Sequence, residues 1–199
     1  MQTNDLIINE LIFMEQQFMK TAFFDFDGVV VDTEPIYDIY WNEAGERYQT
    51  GIPNFASHIK GTTLPYILDK YFSDRSEEFK EMVTRESMDF EQKMPFPPVP
   101  GAMEFIHLLK GKGVKVGLVT SSDNAKLERA FRLLKLDNLF DTVVSADRIT
   151  KGKPDPMCYQ LAASDLHVSP ADCLVFEDSF AGIQAGTNAG MRVIGLSTT

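Results

Sequence analysis

Asp25 and Asp27 are two carboxylates two positions apart, where the apolar run Ala22-Phe23-Phe24 gives way to Gly28-Val29. At the end of a buried strand such a pair faces one small cavity and can share one metal ion. Three later segments repeat the arrangement. Val119-Thr120-Ser121-Ser122, Lys153-Pro154-Asp155-Pro156 and Val175-Phe176-Glu177-Asp178-Ser179 each place polar groups just beyond an apolar run or in a loop. A nucleophilic carboxylate, a hydroxyl, a lysine and a second acidic pair are the parts needed to move a phosphoryl group through an aspartyl phosphate. A carboxylate attacking phosphorus approaches a group that is itself negative, so Asp25 needs a divalent cation and nearby donors. Mg2+ suits that role, because it prefers hard oxygens and commonly bridges one or two carboxylates to substrate phosphate. The plainer readings of the same residues are a solvated acidic turn at Asp25 and Asp27 and a helix cap at Glu177 and Asp178.

Apolar runs of strand length at 21–24, 114–119, 142–144, 173–176 and 191–196 must position these groups. Their near-continuous hydrophobicity is what strands covered on both faces require. Between them, Ala102, Phe105, Ile106 and Leu109 form one helical stripe and Leu127, Ala130, Phe131 and Leu134 another. The alternation predicts an α/β fold: a Rossmann-like parallel sheet between two helical layers, with ligands beyond the carboxyl ends of the strands. One connection, of about 70 residues, is far longer than a βα loop. Helix-compatible composition over 34–48, 62–71 and 75–94, closed by Pro95-Phe96-Pro97-Pro98-Val99-Pro100, makes it an inserted helical cap with a stiff linker. The expected organisation is an N-terminal extension at 1–20, a core at 21–33 and 101–199, and a cap at 34–100 able to exclude water and select substrates. Gly182, Gly186 and Gly190 recur every four residues and predict close packing of a helix on the sheet.

These four motifs, in this order and with this insertion, resemble the haloacid dehalogenase-like superfamily over residues 20–199. The resemblance is to its helical-cap branch, which includes β-phosphoglucomutase and many small-molecule phosphatases. It implies Asp25 as nucleophile, Asp27 as general acid/base, and Thr120 and Lys153 on the phosphoryl oxygens. It also implies magnesium held by Asp25, the backbone carbonyl of Asp27, Glu177 and Asp178. Expulsion of an alkoxide needs a proton, and dehalogenating branches lack an acid at the position of Asp27, so phosphoryl transfer is expected here. Lys151 rivals Lys153, but the family motif places its lysine directly before the proline, as Lys153 stands before Pro154. Ser121, Ser122 and Asn124, around a helix start near Asp123, are either further phosphate donors or capping and turn residues. Lys60-Gly61-Thr62-Thr63 resembles the cap loop that contributes to substrate choice, making Lys60, Gly61 and Thr62 substrate-binding candidates. The mutase pattern is broken at two places: Tyr37 stands where a histidine is common, and Leu64 where a phosphate-binding arginine is. Lys60 and Arg85 are the remaining cap cations considered for a second phosphate. Relatives in this branch usually continue past the fifth strand with another helix and strand.

At 199 residues and 44% apolar content, the chain can build one core with a modest insertion. A net charge of -10 argues against nucleic acid and anionic membranes as partners and leaves a small phosphorylated metabolite, met by local cations. Cys158 and Cys173, in apolar surroundings, read as core residues of a reducing, cytoplasmic protein. Residues 1–20 have neither a basic start nor a long apolar run and are not read as a signal peptide or span. His58, His107 and His167 read as surface or packing residues, Trp41 and Phe55 as core. Two other classes fit less well. A receiver domain would carry its phospho-acceptor after strand 3, where Val144-Ser145-Ala146 stands, and would have no cap. A calcium loop fails because Val29 occupies its third ligand position and the glycine comes too early.

Overall fold

The computed structural model describes residues 20–197 of the chain, so the expectation for the N-terminal extension lies almost wholly outside the described residues. Five parallel strands form one sheet: β1 (Thr21–Phe24), β2 (Lys115–Val119), β3 (Thr142–Val144), β4 (Cys173–Glu177) and β5 (Arg192–Gly195), in the order β3-β2-β1-β4-β5. All five apolar runs are strands, with ends differing by one or two residues. Phe24 at the end of β1 lies opposite Leu118 of β2 and Phe176 of β4. Parallel pairing therefore brings the residues that follow these three strands to one edge of the sheet.

Successive side chains of a strand face opposite ways, so Phe24 and Phe23 enter different cores. On one face Phe24 packs with Ile106, Leu109, Leu127 and Ala130, carried by α5 (Ala102–Gly111) and α6 (Asn124–Leu134). On the other, Phe23 packs with Cys158, Tyr159, Ala162 and Ala185 of α7 (Met157–Asp165) and α8 (Phe180–Asn188). Both cysteines are buried free thiols. Gly186 is required by packing, since a Cβ there would lie 2.8 Å from Val193 Cγ2. Gly190 is not a packing glycine: it lies beyond α8, at φ 76°, and serves the turn into β5.

Between β1 and α5 come α1 (Glu34–Arg47), α2 (Phe55–Ile59), α3 (Leu64–Tyr71) and α4 (Glu77–Glu91). They surround their own buried cluster, which includes Trp41, Ala44, Phe55, Ile67, Phe72 and Val83. The five-residue α2 is too short for periodicity to reveal. The Pro-rich run is more than a spacer. Phe96 and Met94 join the sheet-side core, while Asp32 N donates to Pro97 O (2.7 Å) and Val99 N to Val30 O (3.0 Å). Both ends of the inserted helices are thereby pinned beside the exit of β1. No described helix is long and apolar enough to cross a membrane.

Candidate active site

Asp25 follows β1 directly, its backbone N–H donating to Phe176 O (3.0 Å), and its side chain is buried. Lys153, also buried, reaches Asp25 Oδ1 (3.0 Å), Val119 O (3.3 Å) and Glu177 Oε1 with the three donors of its ammonium. Lys151, its rival in sequence, is an exposed partner of Asp155 at 3.7 Å. Glu177 closes β4 and commits both oxygens: Oε1 also accepts from Tyr159 OH (2.8 Å), and Oε2 from Ser179 Oγ (3.0 Å) and Ser179 N (3.3 Å). Burial pushes the Asp25 carboxyl well above the ordinary carboxylate range; the Lys153 charge opposes this, and Glu177, Asp178 and Asp27 add to it. Burial would lower Lys153, but Asp25 and Glu177 outweigh it and hold the ammonium above its usual value.

Asp178 has a different environment. Its side chain is 1% exposed, with Lys60 Nζ 3.0 Å from Oδ2 as an ion pair, while Oδ1 has no hydrogen-bond partner. Asp25, Glu177 and Asp178 each offer an oxygen within 4.8 Å of the others. A buried carboxylate with Oδ1 left unpartnered, within a set of hard oxygens, fits a divalent cation such as magnesium. Gly28 makes room for it: at φ 74°, a Cβ there would lie 2.1 Å from Asp178 Oδ2. Beside this group, burial and Asp178 push Glu34 up to about 7 against the pull of Lys60, 3.3 Å away.

The Asp27 carboxylate lies outside that oxygen cluster among the described residues. It accepts from Thr33 Oγ1, from Ser122 Oγ (2.9 Å) and from Lys126 Nζ at both oxygens (2.7 and 2.6 Å). Burial would raise its pKa, but the Lys126 charge and the hydrogen bonds from Lys126, Thr33 and Ser122 prevail and hold it below the ordinary value. The side chain of Asp27 is thus not among the oxygens gathered by Asp25, Glu177 and Asp178.

Over these groups lies a cavity of about 330 Å³. The sheet side contributes Asp25, Asp27, Thr120, Ser121 and Ser122, and the inserted helices contribute Tyr37, Trp41, Lys60, Gly61, Thr62 and Leu64. Thr120 is buried, its Oγ1 accepting from Ser122 N (3.0 Å). Three expectations need correction. Ser121 donates to Gly61 O (2.9 Å), tying the loop to the sheet side instead of offering its hydroxyl to a ligand. Asn124 is exposed and absent from the cavity lining; its backbone N–H donates to Asp147 Oδ2 (2.7 Å) as the first residue of α6. Arg85 is exposed and absent from the lining as well. Sequence reasoning missed Lys126, Glu34, Thr33 and Glu91. Lys126 had a readable signal: a lysine in the first turn of α6 opposes the helix dipole and needs a compensating anion.

The chain matches the haloacid dehalogenase-like hydrolases over residues 22–196, and it belongs to that family. It is therefore an enzyme of the phosphatase and phosphomutase kind. A phosphorylated carbohydrates phosphatase of Thermotoga maritima is 33% identical over 184 residues, covering 88% of this chain and 84% of that protein. A β-phosphoglucomutase of Bacillus subtilis is 33% identical over 192 residues, with 89% and 83% covered. A solved β-phosphoglucomutase structure from Clostridium difficile superposes with a TM-score of 0.76 at 26% identity, covering 90% of this chain and 85% of that one.

Proposed function

We propose that this chain hydrolyses phosphate monoesters of small sugars or polyols through a phosphoryl group carried transiently on Asp25. Asp25 presents its free oxygen to phosphorus while Lys153 holds Oδ1. Asp27 protonates the departing oxygen and then takes a proton from the attacking water. The Thr120 hydroxyl, in the cavity lining, would donate to a phosphoryl oxygen. Lys153 would join it by exchanging its longest contact, Val119 O at 3.3 Å. Asp25, the Asp27 carbonyl, Glu177 and Asp178 would hold Mg2+, which supplies charge cancellation for the phosphoryl group when bound. The inserted helices act as a cap over residues 34–100, keeping bulk water from the reacting bond.

The observation that carries hydrolysis over mutase chemistry is the charge of the cavity wall. Lys60 and Lys126 are its only basic residues among those described, and each is paired with a carboxylate of the same site. No cation is left over for a second phosphate, which a mutase must retain through its bisphosphorylated intermediate. The presence of Leu64 where a phosphate-binding arginine was expected points the same way. The test is a panel of phosphorylated metabolites assayed with magnesium and with chelator. Sugar or polyol monophosphates should release free phosphate. Efficient conversion of β-glucose 1-phosphate to glucose 6-phosphate, primed by the bisphosphate and with little phosphate released, would overturn the choice.

A further inference from the structure

Lys126 sits beneath the cavity floor with its side chain 2% exposed. Its three N–H donors reach Asp27 Oδ1 (2.7 Å), Asp27 Oδ2 (2.6 Å) and Ser122 Oγ (2.9 Å), so none is free for a ligand. Ser122 in turn donates to Asp27 Oδ2 (2.9 Å), which links the three side chains in a ring. On the far side of the ammonium lies the ring of Tyr37, 4.7 Å away, whose hydroxyl donates to Glu91 Oε1 (2.6 Å). Sheet-borne Asp27 and cap-borne Tyr37 and Glu91 therefore surround one charge.

Both the burial of this ammonium and its place in the first turn of α6 are unfavourable by themselves. A residue serving only to pack α6 on the sheet would be apolar, like its neighbour Leu127. Glu91 and the Tyr37 ring also favour the charge, but the group that Lys126 grips by hydrogen bonds to both oxygens is the Asp27 carboxylate.

We propose that Lys126 is a positioning residue for proton transfer at Asp27, fixing the carboxylate by both oxygens without touching the substrate. The inference rests on the assignment of Asp25 as nucleophile and Asp27 as acid/base. In the first half-reaction the Asp25–phosphorus bond forms, the bond to the leaving oxygen breaks, and that oxygen takes its proton from the protonated form of Asp27, which requires one of the four hydrogen bonds that hold the ionised carboxylate to give way. In the second, the water–phosphorus bond forms, the aspartyl bond breaks, and the water proton returns to Asp27. Lys126 governs the orientation of Asp27 in both.

The test compares kcat/KM on two substrates, because this ratio reports only steps through leaving-group departure. p-Nitrophenyl phosphate expels a phenolate that needs no proton; glucitol 6-phosphate expels an alkoxide that does. Lys126→Met should lose on the order of 10²-fold on the alkyl ester and change by less than about threefold on the aryl ester, while kcat for the aryl ester falls because water activation suffers. Lys126→Arg should recover part of the alkyl activity. Should Lys126→Met not fold, the same comparison on Lys126→Gln, which keeps the stem and a donor, decides. Equal losses on both esters, or no loss on the alkyl ester, would overturn the proposal. Asp27→Asn is the reference. If it shows no aryl/alkyl split, the acid/base assignment fails; if it shows one and Lys126→Met does not, only the inference about Lys126 fails.

Discussion

Gly182→Ala should be one of the most damaging single-methyl changes in this protein, although it places a better helix former inside α8. A Cβ at Gly182 would lie 1.9 Å from Glu177 Cδ and Oε1 and 2.1 Å from Oε2. Glu177 cannot simply swing aside, because Lys153, Tyr159 and Ser179 hold both of its oxygens. Helix propensity returns about 1 kcal/mol. Overpacking costs about 1–3 kcal/mol, and loosening one hydrogen bond to a buried charge costs about 1.5–3 kcal/mol. The net loss is about 1.5–5 kcal/mol, a fall in melting temperature of roughly 3–20 °C for a chain of this length. Gly111→Ala is the matched control, since its Cβ meets nothing within 4 Å at the end of α5. It should gain about 0.4–1 kcal/mol. Thermal melts followed by circular dichroism, with phosphate release measured in parallel, read both effects. A Gly182→Ala protein that melts at or above the parent temperature with unchanged turnover would refute the account of Glu177 as the pinned centre of the site.

Asp25→Asn should fold and lose at least about a thousandfold in turnover, and it should no longer trap beryllium fluoride on residue 25, which mass spectrometry of the trapped complex checks. Chelation should abolish phosphate release, and Asp178→Ala should raise the magnesium requirement, read from the metal dependence of the rate; calcium should inhibit, its looser shell holding the nucleophile poorly. In metal-free protein, Glu34 titrates near about 7 when folded against an ordinary 4.5. The folded state then binds more protons than the unfolded one between those values, so this group's contribution to stability is lost as pH rises from 4.5 to 7. The loss is about 3 kcal/mol, and denaturant midpoints should show it flattened in Glu34→Gln.

The sheet was legible because strands buried on both faces leave continuous apolar runs, and the acidic motifs were legible because they sit directly after those runs. Asp25, Thr120, Glu177 and Asp178 needed no knowledge of the inserted helices, since parallel pairing alone gathers them at one edge. Side chains whose partners are distant in sequence were not legible. Ser121 reads equally as a phosphate donor or a turn residue until its contact with Gly61 is known, and the helix-dipole signal at Lys126 does not name its partner, Asp27, 99 positions away. The composition of the Pro-rich run gave no hint that Phe96 would enter the core, beside Met94 just before it.

The loop at Gly61 has a wider meaning. Its carbonyl is held by Ser121, and its α-carbon, at φ 74°, faces Ser179 so closely that a Cβ would lie 2.2 Å from the hydroxyl. The cap is therefore registered on the catalytic edge by main chain and by a missing side chain. Thr62 on the same loop and Leu64 at the start of α3, both in the cavity lining, make neither of those contacts. Under the proposed function, substrate preference could change at positions 62 and 64 while the contacts of Gly61 stay as they are.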